Sequence, residues 1–185
     1  MVNYNYYLNK LFGIEVIRIF PREAIKYAKD YFQNKEIIAL EIGTLKGENT
    51  KSMFKKLNIS KIYLIDPYII YNGLDRVYAY RSCKKEAIRR LNKFSDKINW
   101  IFKLSSEAIE DIKEKVDFIY IDGNHDYSFV KEDLENYWEI LNMGGIMSGH
   151  DIQCEDVSRA VLEFARKKNL QVLFGERRDW WIIKC

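Results

Sequence analysis

Five short apolar runs recur along the chain, and most are separated by a helical stripe. That alternation limits the fold more than any other feature. The runs are Lys35–Gly43 (KEIIALEIG), Ser60–Tyr68 (SKIYLIDPY), Ile98–Leu104 (INWIFKL), Val116–Gly123 (VDFIYIDG) and Gly144–Asp151 (GGIMSGHD). Each is β-branched or aromatic and bounded by charge or glycine, which predicts strands buried on both faces. Between them, apolar residues fall at helical spacing. After Pro21 come Ala24, Ile25, Ala28, Tyr31 and Phe32; then Met53, Phe54 and Leu57; then Ala87, Ile88 and Leu91. Val130, Leu134, Trp138 and Leu141 mark a fourth helix, and Val157, Ala160, Val161, Phe164 and Ala165 a fifth. Such alternation means βαβ units, hence a parallel sheet with helices on both faces. The last two runs, Leu170–Gly175 and Asp179–Lys184, leave no room for a helix between them and predict an antiparallel hairpin. The expected architecture is α/β: a doubly wound, seven-stranded, mostly parallel sheet closed by a C-terminal antiparallel hairpin. Residues 1–34 would form an N-terminal helical segment on a domain spanning 35–185.

Length and charge narrow the function. At 185 residues the chain suits one domain. Thirty basic against 27 acidic residues leave +3, too near balance for wholesale nucleic-acid binding. No run approaches the roughly 20 apolar residues that span a bilayer. The first ten residues, rich in Tyr and Asn, lack a basic-then-apolar signal pattern. Cys83, Cys154 and Cys185 are too scattered for a disulfide framework or a zinc site. A soluble, cytoplasmic protein without a membrane partner is the expectation.

In open parallel sheets ligands bind at the carboxyl ends of strands, at the point where strand order reverses. The first run leads into Glu41-Ile42-Gly43-Thr44-Leu45-Lys46-Gly47-Glu48. Gly43 and Gly47 permit tight turning and close approach of a ligand. Their spacing fits neither a dinucleotide fingerprint nor a phosphate-cradling P-loop. The acids Glu41 and Glu48 would repel a pyrophosphate and attract a cationic ligand. The second run ends in Asp66, where a carboxylate can accept hydrogen bonds from both hydroxyls of a ribose; the competing reading is a turn-capping aspartate before Pro67.

An acidic, glycine-bearing first loop with an acid after the second strand resembles the class I S-adenosylmethionine-dependent methyltransferases, a Rossmann-like fold. The likeness extends from Lys35 to Cys185 and includes the terminal hairpin. It implies that Glu41, Gly43 and Thr44 line the methionine and ribose side. Asp66 would hold the ribose diol, and Ser106, with Glu107, would lie beside the adenine.

Both histidines of the chain fall at the ends of adjacent strands, each near an aspartate: Asp122-Gly123-Asn124-His125 and His150-Asp151. Asp122, Asp151 and His150 are candidate ligands of a divalent metal; the bland alternative has the two aspartates capping helices. This segment resembles the O-methyltransferase branch that includes catechol-type and macrolide-sugar enzymes. There an Asp after the fourth strand and an acidic pair after the fifth bind magnesium, and the residue three positions beyond the first Asp acts as base. That role would fall to His125, with Asp122 serving catalysis and the cofactor as well as the metal. His150 departs from the family's carboxylate or amide, and suits manganese or zinc better than magnesium.

The expected reaction is transfer of a methyl group from S-adenosylmethionine to a hydroxyl of a small molecule. An RNA methyltransferase using the basic stretch Lys84–Lys93 is one alternative; a non-catalytic nucleoside-binding protein is another. Tyr4, Tyr6, Tyr7 and the Tyr68–Tyr80 stretch are candidate pocket aromatics. Adjacent Trp180 and Trp181 should face opposite sides of a strand, leaving one for a homodimer contact.

Overall fold

A computed structural model describes residues 22–69, 80–176 and 178–185. In chain order the elements are α1 (Glu23–Phe32), β1 (Ile37–Ile42), α2 (Glu48–Lys56), β2 (Ile59–Ile65), α3 (Tyr80–Leu91), β3 (Ile98–Ile101), α4 (Ser105–Ala108), β4 (Val116–Ile121), α5 (Tyr127–Ile140), β5 (Leu141–Gly149), α6 (Glu155–Lys168), β6 (Leu173–Phe174) and β7 (Trp180–Ile183). 3-10 segments, Asn92–Lys97 and Ile109–Asp111, precede β3 and follow α4.

The seven strands form one sheet in the order β3-β2-β1-β4-β5-β7-β6. The first five are parallel, and β7 is antiparallel to both β5 and β6. The expected doubly wound sheet with its terminal hairpin is what forms. Strand order reverses between β1 and β4, the position where such sheets open a cleft at their carboxyl edge.

The central strands divide their side chains between two cores. Leu40, Ile42, Ile65, Ile119, Ile121 and Met147 point toward α5 and α6, where they meet Leu134, Tyr137, Val161 and Phe164. Ile37, Ala39, Ile62, Leu64, Phe118 and Tyr120 point the other way, onto Ala24, Ile25 and Ala28 of α1 and Met53 of α2. All six residues of β4 are buried, as a central strand with helices on both faces requires. Each such aliphatic side chain contributes roughly 1.5–3 kcal/mol, so the parallel centre of the sheet dominates stability. α1 shares the second core and is tied to β7, because the Ala24 amide donates to Asp179 at 3.0 Å.

Several local expectations shift. Leu141 belongs to β5, not to the preceding helix: its extended backbone ends α5 and pairs it with Val116. The third strand stops at Ile101, and α4 occupies a stretch too short to show an apolar stripe. Tyr31 and Ile88 lie on helical stripes yet are 41% and 42% exposed. Trp180 and Trp181 do face opposite cores, and both are buried rather than one being exposed. Pro21, Tyr4, Tyr6, Tyr7 and most of the 68–80 aromatic stretch lie outside the described residues. Among the described residues no helix is long and apolar enough to cross a membrane.

Candidate active site

The strand ladder continues one residue past the ends of the central strands. Gly43 donates to the Ile65 carbonyl (2.9 Å), Asp66 to Ile101 (3.2 Å), Asp122 to Ile42 (2.8 Å) and His150 to Ile121 (3.1 Å). Four residues singled out from sequence therefore stand in one row along the carboxyl edge, centred on the β1/β4 reversal.

The loop after β1 is shaped by contact with its neighbours. Gly43 has φ +87°, and a Cβ there would come within 2.0 Å of the Asp122 carbonyl oxygen. Gly47, at φ +72°, is tight against Leu91 of α3, so its close approach is to a helix rather than to open space. Glu41 lies on the α2 face of β1, as its alternation with Leu40 and Ile42 demands. It is 1% exposed and accepts hydrogen bonds from Asn49 (2.8 Å) and from the Thr50 hydroxyl. Burial pushes its carboxyl up to about 8, against those hydrogen bonds. At neutral pH Glu41 is thus mostly uncharged and staples β1 to the first turn of α2, which has no side-chain cap of its own. Glu48 pairs with Arg90 at 3.5 Å. The positive attraction expected of these two acids is correspondingly reduced.

Asp66 is half-buried at the end of β2 and accepts from the amides of Leu45 and Tyr68, each at 2.8 Å. Burial raises its pKa, and the two amides work against that rise. Each oxygen retains lone pairs, so the turn-capping and ligand-binding readings are compatible. Thr44 is buried, and its hydroxyl has no partner among the described residues; nor has the hydroxyl of Tyr68. A buried hydroxyl beside Gly43 and a carboxylate at the end of the adjacent strand fit a nucleoside carrying a polar amino-acid tail. Ser106 lies half-buried in α4, at the carboxyl end of β3. Behind it, the Tyr137 hydroxyl donates to the Ser105 carbonyl (2.8 Å), and Asp133 accepts from the Ser105 side chain.

The ends of β4 and β5 bring Asp122, His125 and Asp151 together, with one ligand atom from each inside a 4.8 Å group. His125 Nε2 is 3.1 Å from Asp151 and 3.7 Å from Asp122. It is His125 rather than His150 that completes this group. His150 stands behind it, with Nδ1 3.1 Å from Asp151 and Nε2 4.0 Å from Asp179. Asp151 has φ +56°, a left-handed conformation that costs a non-glycine residue of order 1 kcal/mol and persists where the surroundings enforce it. Two carboxylates and an imidazole are a donor set that a divalent ion accepts, so the residues fit a metal.

Electrostatics follow from the crowding. Asp122 and Asp151 drive the His125 imidazole up to about 10, so in the metal-free protein it holds a proton at neutral pH. Burial works to raise both carboxyls, but His125 lowers each, helped by Arg22 and His150 at Asp122 and by His150 at Asp151; both end below the usual carboxylate range. His125 can accept a proton only when the charge of its two carboxylates is otherwise satisfied.

Sequence reasoning missed the layer beneath. Arg22 Nη2 reaches Asp122 at 3.0 Å, and Nη1 lies 4.0 Å from Asp179. Asp179, fully buried at the start of β7, also accepts from the Tyr120 hydroxyl at 2.9 Å. The available signal was a lone acid opening the otherwise apolar Asp179-Trp180-Trp181 run.

Comparison with known proteins agrees with this fold. Among curated proteins, an uncharacterized protein of Acanthamoeba polyphaga mimivirus is 27% identical over 127 residues, 66% of this chain. The match spans about half, 54%, of that protein's length. Among solved structures, the O-methyltransferase NovP superposes with TM-score 0.68 at 13% identity, covering 88% of this chain and 78% of that one. An rRNA methylase from Streptococcus thermophilus gives 0.61 at 12% identity, covering 89% and 96%. The N-methyltransferase NodS from Bradyrhizobium japonicum, bound to S-adenosyl-L-homocysteine, gives 0.57 at 15%, covering 86% and 83%. Those three neighbours are named for different acceptors, so the shared fold does not choose among them. The profile of the methyltransferase domain matches residues 40–152, well over half of the chain and all of the edge from β1 to the end of β5; the chain belongs to the methyltransferase-domain family.

Proposed function

We propose that this protein transfers the methyl group of S-adenosylmethionine to a hydroxyl of a small molecule, assisted by a divalent ion held by Asp122, Asp151 and His125. The observation that carries this reading is the adjacency of two groups: the Asp/His/Asp cluster begins at Asp122, whose carbonyl abuts Gly43 of the loop after β1. Asp66 would orient the ribose, the Thr44 hydroxyl the polar tail, and the α4 end around Ser106 the base. A bound divalent ion would lower the pKa of an acceptor hydroxyl, whose proton would pass to solvent as the oxygen takes the methyl and the sulfur leaves as the thioether of S-adenosylhomocysteine. The methyl donor's sulfonium makes its methyl electrophilic, so the remaining task of the chain is alignment at near-attack distance. Asp122 and Asp151 fix the acceptor side of that line, and Gly43–Thr44 the donor side. His125 serves as third ligand in this arrangement, because its Nε2 faces both carboxylates.

The basic helix α3 gives less support to an RNA acceptor. Arg90 is paired with Glu86 at 2.6 Å and with Glu48 at 3.5 Å, so part of its charge is answered locally. Incubation with methyl-tritiated S-adenosylmethionine, a panel of catechols and sugars, and total RNA tests the reading. Label should enter a small hydroxyl compound and disappear on chelation. Label entering RNA, or transfer indifferent to chelator, would contradict it, and donor binding with no transfer would favour a binding protein.

A further inference from the structure

Each carboxylate of the Asp122/His125/Asp151 group has one oxygen held by the protein and one left to the group. At Asp122, Oδ2 accepts from Arg22 (3.0 Å), while Oδ1 faces His125 Nε2 (3.7 Å). At Asp151, Oδ1 accepts from Gln153 (2.7 Å) and lies 3.1 Å from His150 Nδ1, while Oδ2 faces His125 Nε2 (3.1 Å). Arg22 is itself fixed. It immediately precedes α1, whose Ala24 amide is anchored on Asp179; its guanidinium lies 4.0 Å from that same carboxylate and 5.8 Å from the centre of the Tyr120 ring. Its side chain is 14% exposed. A guanidinium held this way is a preset clamp rather than a surface charge.

We propose that Arg22, with His150 and Gln153, acts as a positioning residue that restricts Asp122 and Asp151 to one ligating oxygen each, so that the site selects a transition-metal ion such as Mn²⁺ or Zn²⁺ over Mg²⁺ and Ca²⁺. The inference rests on the metal-assisted reading above and adds the class of ion. Calcium takes 6–8 oxygen ligands and gains from carboxylates that chelate with both oxygens. Here the second oxygen of each is already spoken for, and the third ligand is nitrogen. Imidazole nitrogen suits zinc, whereas magnesium and calcium keep to oxygen ligands; manganese, which takes oxygen donors as well, accepts the mixed set. Removing the Arg22 clamp frees Asp122 Oδ2, which favours calcium because that ion gains most from a chelating carboxylate, while the lost positive charge helps every divalent ion alike.

The full chain, stripped of metal, is titrated by calorimetry with Mn²⁺, Zn²⁺, Mg²⁺ and Ca²⁺ in turn, and Mn²⁺ occupancy is followed by electron paramagnetic resonance. The wild type should bind one Mn²⁺ at least ~10-fold more tightly than Mg²⁺, and Ca²⁺ more weakly still. Arg22→Gln should narrow the Mn²⁺/Ca²⁺ ratio by at least ~5-fold, and Arg22→Lys should restore part of it, because a lysine keeps the charge and one donor. Gln153→Ala, on an exposed turn, should narrow the ratio in the same direction and covers the case in which Arg22→Gln fails to fold. A wild type that binds Mg²⁺ as tightly as Mn²⁺, or a ratio unmoved by both Arg22→Gln and Gln153→Ala, overturns the proposal while leaving metal assistance standing. A wild type that binds none of the four ions overturns both.

Discussion

The backbone of Gly43 and the carbonyl of Asp122 meet so closely that a Cβ at position 43 would sit 2.0 Å from the Asp122 oxygen. The contact joins the loop after β1 to the first residue of the Asp122/His125/Asp151 group. Because the obstructing atoms are main chain, no rotamer change relieves it. Gly43→Ala would also force an L side chain into φ +87°. The expected cost is roughly 2–4 kcal/mol, the range for strained backbone added to steric conflict. Urea unfolding would show it as a lowered midpoint, and calorimetry as weakened S-adenosylhomocysteine binding.

Asp66 offers a cleaner probe of the donor site. Asp66→Asn keeps the shape but loses the charge and one of the two acceptors that hold the Leu45 and Tyr68 amides. Hydrogen bonds to charged groups contribute about 1.5–3 kcal/mol, so affinity for S-adenosylhomocysteine should fall by roughly 10- to 100-fold. Unchanged affinity would leave Asp66 as a turn residue alone.

Two buried acids should write themselves into the pH dependence of stability. Burial raises Glu41 from 4.5 to about 8 and Asp133 from 3.8 to about 7, the latter against its Ser105 hydrogen bond. Both bind protons more tightly folded than unfolded. Their contribution is complete below about pH 4 and is lost as pH climbs through the folded values, to about 7 for Asp133 and about 8 for Glu41. Asp133→Asn cannot ionise. It should flatten the wild-type decline between pH 4 and 7 and leave the variant more stable than wild type at pH 8, by an amount on the order of 1 kcal/mol or more. Denaturant melts at pH 5 and pH 8 measure the difference; a slope identical to wild type would contradict it.

Asp179 ties the N-terminal helix to the site. Asp179→Ala leaves the Tyr120 hydroxyl and the Ala24 amide without their acceptor in a buried place. Orphaned buried donors cost about 1–3 kcal/mol each. The variant should lose roughly 2–5 kcal/mol of stability, and hydrogen exchange should show α1 opening before the sheet. Protection of α1 equal to wild type would contradict the tie.

Much of this was readable in the chain because strands buried on both faces leave continuous apolar runs, and a run that ends in Gly43, Asp66, Asp122 or His150 declares its own edge. The terminal hairpin was equally plain, since three residues cannot hold a helix between Gly175 and Asp179. The opposite reason hid the rest. Glu41 reads as a loop acid, and only the two-residue alternation of β1 turns it onto α2. Leu141 keeps helical spacing with Trp138 yet pairs with Val116, a tertiary contact overriding local pattern. Arg22, Asp151 and Asp179 lie far apart in sequence, and their convergence depends on packing α1 against β7, for which no short-range signal exists. His125 was read as a base from its place three residues after Asp122; that Asp151 also faces its Nε2 is a product of the fold.

The central claim is that a divalent ion and the methyl donor occupy neighbouring positions on the β1/β4/β5 edge. Paramagnetic relaxation tests it without knowledge of the acceptor. With S-adenosylhomocysteine bound to the chain, proton relaxation of the ligand is recorded as Mn²⁺ is added, then again after Asp122→Ala and Asp151→Ala. The account predicts strong enhancement of the protons flanking sulfur, abolished in both variants. Relaxation unaltered at saturating Mn²⁺, with the ligand still bound, would contradict it.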